Sequence, residues 1–247
     1  MNSNEWFDKL ELVVLDCPIR TWDSPLTRDL FHKMIHLKLD GYWAEYSKDV
    51  IVTDTGDFIG THLLACIREG DSLTPVMGYK VVPLSRCEYY HVPFPALSAL
   101  KNVNASEIDI ARMQKTLSNC KTNGIDISYD SAWTVNETIR NDRELGKKIR
   151  ELTTTLGVLY HQDYAVPEWI TGGVLKFKTD LYFQWMGLTP LTGPISFPAL
   201  AGGEARLMHL QNYSQESLEV ANRHRDRWEK RIFIGEEAAA VAQKKTA

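Results

Sequence analysis

Residues 125–159, IDISYDSAWTVNETIRNDRELGKKIRELTTTLGVL, change their hydrophobic period halfway along. Ile125, Ile127, Tyr129, Trp133 and Val135 recur at a period of two. Asp126, Ser128, Asp130, Ala132 and Thr134 fall between them, so the alternation predicts a strand with one apolar face. Leu145, Ile149, Leu152, Leu156 and Leu159 then recur at helical spacing and form one stripe. The switch predicts a central strand over 125–135 and a helix over 143–160 packed on it.

The connection between them, residues 137–146 (ETIRNDRELG), is polar and basic. It supports two readings. The first turn of a helix carries unpaired N–H groups and the positive end of the helix dipole, which suit a phosphate. Arg140, Arg143, Lys147 and Lys148 add positive charge. Equally, Asn141 with Glu144 forms an ordinary capping box, and Asp142 and Glu144 oppose an anion.

The chain has 247 residues, enough for one large domain or two small ones. With 44% hydrophobic and 24% charged residues, a packed core is expected. The net charge of −4 argues against a dedicated nucleic-acid binder. Cys17, Cys66, Cys87 and Cys120 form no C-x-x-C pair, so neither a zinc site nor a disulfide framework is expected. His32 and His36 sit four apart with nothing nearby to complete a metal set, so no metal is expected. The polar, acidic start does not read as a signal peptide, and no apolar run approaches the roughly 20 residues of a membrane span. The expectation is a soluble, cytoplasmic protein.

Along the chain, a strand at 9–15 precedes a helix whose start is marked by Ser24 and Pro25. Two strands, 60–68 and 76–84, are joined by a turn at 69–72. A helical segment within 99–123 ends near Gly124, and the strand–loop–helix comes after it. A short strand is next at 168–171. Val174, Phe177, Leu181, Trp185 and Leu188 then give a helical stripe closed by Gly187. A last strand covers 205–210. Residues 1–213 are read as one domain and 214–247 as a helical, partly frayed extension.

This order resembles the GCN5-related N-acetyltransferase (GNAT) fold. Phe183-Gln-Trp-Met-Gly187-Leu188 resembles the family's Y-x-x-x-G-F segment. Ser131-Ala-Trp-Thr-Val135, followed by Arg140, resembles its central strand and pyrophosphate loop. That loop is usually R/Q-x-x-G-x-G/A; here Arg140-Asn-Asp-Arg143-Glu-Leu145 keeps the arginine and lacks both glycines, which elsewhere let the backbone approach the phosphates. Three further segments resemble the branch that uses long acyl donors, the autoinducer and N-acyl amino acid synthases. They are Gly60-Thr-His-Leu-Leu-Ala65, Gly78-Tyr-Lys-Val-Val-Pro83 and Pro93-Phe-Pro-Ala-Leu97. The autoinducer synthases carry E-x-x-R in the central strand, where Tyr129 and Ala132 stand here, so a homoserine-lactone product is not expected.

The resemblance implies an α/β fold with a mixed, mostly antiparallel central sheet flanked by helices. It implies an acyltransferase moving a medium- or long-chain acyl group from a phosphopantetheine thioester to the amine of a small molecule such as an amino acid. The donor is acyl-CoA or an acyl carrier protein, a co-substrate and not a permanently bound cofactor. The alternatives are an acetyl-CoA-dependent N-acetyltransferase and a catalytically silent GNAT-like binding or regulatory protein. Backbone N–H groups near Trp133, Thr134 and Val135 are implied at the thioester oxygen, with Arg140, Arg143 and Gly146 at the phosphates. Asp130 is the first candidate for acceptor orientation or proton uptake, against the alternative of a solvated or capped carboxylate; Glu88 is the second. Tyr182 and Tyr160 are candidate proton donors to sulfur. Phe31, Tyr42, Trp43, Trp133, Phe177 and Trp185 line an acyl groove or fill core.

Overall fold

The structure, a computed structural model, describes residues 3–49 and 53–236. The chain opens with α1 (Ser3–Asp8) and β1 (Leu10–Asp16). In α2 (Pro25–Glu45) the Ser24 side chain accepts from the Thr27 N–H, and Pro25 takes a first-turn position that needs no donor. Then come α3 (Thr55–Ile59), β2 (Thr61–Glu69), β3 (Ser72–Pro83) and α4 (Leu84–Tyr89). A further short helix, α5 (Pro95–Asn102), precedes the helical segment expected within 99–123, which is α6 (Glu107–Thr122). Ser106 starts α6 by accepting from the Asp109 N–H at 3.1 Å.

Next are β4 (Ile127–Val135), α7 (Glu137–Arg140), α8 (Arg143–Asp163) and β5 (Glu168–Val174). The helical stripe expected from Val174 begins later, because Val174 ends β5 and Lys178 turns left-handed at φ 55°; the helix is α9 (Thr179–Met186). Gly187 does close it, at φ 111°, where a Cβ would lie 2.4 Å from the Asn212 carbonyl oxygen. The described residues continue with β6 (Thr189–Pro190), β7 (Ile195–Ser196), β8 (Glu204–Leu210), α10 (Gln215–Arg223), α11 (Arg225–Glu229) and β9 (Ile232–Ile234).

One sheet runs in the order β6-β8-β5-β4-β3-β2-β1-β9, with β7 beside β8. Among the described residues, only β4–β5 and β1–β9 pair in parallel. Strand alternation sends successive residues to opposite faces. Val14, Leu63 and Val81 face α8, whose stripe Leu145, Ile149, Leu152, Leu156 and Leu159 is buried against them. Val13, Leu15 and Leu64 face α2, and Val82, Ile127 and Ile170 face α5 and α6. The segment read as a C-terminal extension packs into the same body as far as residue 236. Trp228 is wholly buried and β9 adds an edge to β1. The expected fraying of the terminus falls on residues 237–247, outside the described residues. Among the described residues, no helix is long and apolar enough to cross a membrane.

Two irregularities in the central strand position the site. The β4–β5 ladder stops at Asp130 and Thr171, after which Gly172, Gly173 and Val174 pair only with β8, so the two parallel strands part. In the same place β4 bulges. Gly78 pairs with Thr134 and Lys80 with Ser131, leaving Tyr79 opposite both Ala132 and Trp133. Ala132 takes the left-handed conformation, φ 59°. The strict alternation expected over 125–135 therefore breaks at Ala132, because the extra residue reverses the facing of the rest of the strand.

Candidate active site

Before the bulge, Tyr129 faces the α5–α6 side and Asp130 faces α8. After it, Trp133 and Val135 join the α8-side core, while Thr134 lies so close to α2 that a Cβ on Gly41 would sit 2.3 Å from its Cγ2. The β4 edge beyond Asp130 carries backbone groups with no ladder partner on the β5 side.

On the α2 side of the bulge, a cavity is bounded by Lys38, Asp57, His62, Lys80, Ala132 and Thr134. Its polar walls form a buried charge cluster. Lys38 Nζ donates to both Asp57 oxygens, at 2.7 and 2.9 Å. Lys80 Nζ lies 3.0 Å from Asp57 Oδ1 and 2.6 Å from Asp54 Oδ1. Burial pushes the Asp57 carboxyl up, but Lys80 and Lys38 outweigh it and bring it down to about 2. Burial, reinforced by the Lys80 charge, pushes the Lys38 ammonium down. His62 Nε2 lies 2.7 Å from the Asp57 carbonyl oxygen and donates to it, which leaves Nδ1 as an acceptor. Burial brings His62 down to about 4, so the ring is neutral near pH 7.

Sequence reasoning passed over this cluster. His62 and Lys80 fall within segments quoted for the resemblance, and neither was singled out as a charged or titratable group. One trace was available: Lys38 continues the apolar series Leu30, Met34 at helical spacing, a poor place for an unpaired lysine.

On the α8 side, Asp130 is a buried, fully engaged carboxylate. Ser128 Oγ donates to Oδ1 at 2.7 Å, and His161 Nε2 lies 2.9 Å from Oδ2. His161 Nδ1 is 3.0 Å from the Val166 carbonyl oxygen, and the ring stacks on Trp169 at 5.4 Å. Both ring nitrogens thus face oxygen acceptors, which fixes the orientation of the ring. Tyr182 bonds to Thr154 Oγ1 at 2.6 Å, and burial pushes its hydroxyl up to about 12. Its ring lies between Trp133 and Trp185, 5.7 and 5.8 Å away. The Tyr160 hydroxyl donates to Thr61 Oγ1 at 3.0 Å. The Tyr79 hydroxyl and Trp133 Nε1 are buried beside the bulge without a hydrogen-bond partner.

The other expected residues do not converge. Glu88 sits on α4, beyond the end of β4 away from the split, and pairs with Lys121 at 2.6 Å. Where open N–H groups were expected at the start of α8, Asp142 Oδ1 accepts from both Glu144 N and Leu145 N at 3.0 Å. The cap is Asp142 and not the Asn141–Glu144 box, because a carboxylate in the N-cap position satisfies two donors at once. Gly146 lies in this first turn, its N–H on the Asp142 carbonyl oxygen. Arg140 reaches back to Glu45 at 2.9 Å, Arg143 and Lys147 are exposed, and Lys148 lies over the Phe7 ring.

No family model and no curated protein matches the sequence. Solved structures do match the fold. FeeM, an N-acyl amino acid synthase from uncultured soil microbes, aligns over 88% of this chain and 96% of its own, with a TM-score of 0.52 and 11% identity. BjaI, a CoA-dependent acyl-homoserine lactone synthase, aligns over 96% and 100%, with a TM-score of 0.53 and 16% identity. The synthase LasI aligns over 85% and 93%, at 0.51 and 12%. The chain has the GNAT fold. At 11–16% identity the likeness is one of fold, and the parted β4 and β5 lie at the centre of its sheet.

Proposed function

We propose that this GNAT-fold chain is an N-acyltransferase. It moves a medium- or long-chain acyl group from a phosphopantetheine thioester, on CoA or an acyl carrier protein, to the amine of a small molecule such as an amino acid. The observation that carries the reading is the split between β4 and β5, opened at a bulge that has a charged cavity on one side and an aromatic ladder on the other.

In this reading the pantetheine arm lies in the split. The thioester oxygen meets backbone N–H groups near Trp133, Thr134 and Val135, which stabilise the developing oxyanion. Arg140 takes a donor phosphate, with Arg143 and Gly146 beside it. The acceptor amine approaches from the α2 side, where Asp57, Lys38 and Lys80 offer both charges and His62 Nδ1 a proton acceptor. The amine must lose a proton before it attacks, and the departing thiolate must gain one. Tyr79, with no partner for its hydroxyl, joins Tyr182 as a donor to sulfur. Asp130, engaged by His161, positions the strand beneath the reacting atoms and does not touch the acceptor.

A second reading, a catalytically silent binding protein, is favoured by one observation: Asp142 already occupies the helix N-terminus where a phosphate would sit. One experiment separates them. Acyl-CoAs of increasing length and an acylated carrier protein are offered with mixed amino acids and amines. Thiol release is followed, and products are read by mass spectrometry. Turnover that favours longer chains supports the proposal, and a maximum at acetyl gives an acetyltransferase. Donor binding without thiol release gives the silent protein.

A further inference from the structure

A single carboxylate spans the open end of the split. Glu45, the last residue of α2, lies 2.9 Å from Arg140 Nη1 through Oε1 and 3.8 Å from Lys176 Nζ through Oε2. Arg140 follows β4 and Lys176 follows β5, so Glu45 ties together the two arms that part at Asp130 and Thr171. Next to it, Tyr46 meets Phe177 edge-on at 6.3 Å, and Lys176 lies 4.8 Å above the same ring. Two cations share one carboxylate, so the trio keeps one uncompensated positive charge. The side chains are within reach of solvent, 32% exposed at Arg140, 30% at Glu45 and 59% at Lys176.

We infer that Glu45 holds the place of an anionic donor group. Arg140 and Lys176 receive the phosphate of a phosphorylated pantetheine arm, and Glu45 leaves when it binds. The identity of that ligand rests on the acyltransferase reading; the anion site does not. A diphosphate brings two negative charges and several acceptor oxygens to the guanidinium and ammonium, where Glu45 brings one charge. Glu45 is then a built-in competitor that sets donor affinity, and Lys176 is a donor-binding residue that the sequence did not mark.

The test is calorimetry on the full chain, Glu45→Gln and Lys176→Gln, with inorganic pyrophosphate, CoA and 4′-phosphopantetheine at low salt. Glu45→Gln is expected to tighten binding, and Lys176→Gln to weaken it, each on the order of fivefold for a solvent-exposed pair. Both effects shrink in high salt. CoA and 4′-phosphopantetheine responding together assign the site to a pantetheine arm. Pyrophosphate responding alone assigns it to free phosphate and overturns the pantetheine assignment. Affinities unchanged in both variants, no binding of any probe, or weaker binding by Glu45→Gln overturns the inference. Affinity shifts of the expected sign without thiol release in the turnover assay overturn only the acyltransferase reading.

Discussion

Asp57 stays charged although it is almost wholly buried, because Lys38 and Lys80 both reach it. His62, against its carbonyl, stays neutral because burial outweighs the pull of the nearby Asp57 charge. The two make different claims on pH. The folded-state value of His62, about 4, lies below the ordinary 6.5, so between them the unfolded chain binds the proton more readily. The stability this ring contributes is complete above about pH 6.5 and is lost as pH falls to about 4, a loss of about 3 kcal/mol. Asp57 is depressed to about 2, so its contribution persists to lower pH and disappears only as pH falls from about 4 through 2. Urea unfolding of the wild type and His62→Gln between pH 7 and 4 checks this. The wild type should lose stability that the variant does not, and parallel curves would show that the ring is not held neutral. The sequence placed Asp130 on the right strand and allowed it to be a capped carboxylate. It offered nothing to find His161 as the partner, since that contact joins β4 to α8 across the sheet and has no local spacing.

The bulge shows the same limit at the scale of the element. Residues 125–135 alternate well enough to be read as a strand, and β4 covers nearly all of them. The residue that breaks the alternation is an alanine, where a left-handed position usually announces itself with glycine. At φ 59° an alanine Cβ crowds the carbonyl oxygen at a cost of about 1–2 kcal/mol. Glycine removes that cost but gives back roughly 0.5–1 kcal/mol of backbone entropy. Ala132→Gly is therefore expected to leave stability unchanged or raise it by up to about 1.5 kcal/mol. Ala132→Val, branched at Cβ in the same conformation, should lower it by about 2 kcal/mol or more. Denaturant melts of both variants decide the matter. Valine tolerated and glycine destabilising would mean that β4 runs without the bulge. In the connection after β4, Asn136 caps α7 and Asp142 caps α8, so a stretch read as a loop with open N–H groups folds into closed turns. Both are ordinary capping residues, but only the backbone decides which of Asn141 and Asp142 takes the position.

Across the whole molecule, the order of strands and helices was legible, because amphipathic periods and caps are local, and the order of short motifs pointed to the fold. The pairing of β9 with β1 was not, since three residues near the chain's end carry no pattern that names a partner more than 200 positions away. The aromatic groove was legible only in part. Phe31 is buried among α2-side core residues, against Trp22 and Phe58. Trp133, Tyr182 and Trp185 instead form a ladder beside the bulge, and Phe177, Leu181 and Trp185 leave a face of α9 and its preceding turn open. A medium or long acyl chain leaving the split would lie against that ladder. Donor affinity should then rise with chain length by up to about 0.8 kcal/mol per buried methylene until the apolar surface is covered. Trp185→Ala should flatten the rise for the longer donors and leave acetyl-CoA binding nearly unchanged, because acetyl ends at the bulge. Calorimetry with a series of non-hydrolysable acyl thioester analogues checks both. A flat response in the wild type would mean that the ladder is closed core, and acetyl transfer would become the better reading of the same split.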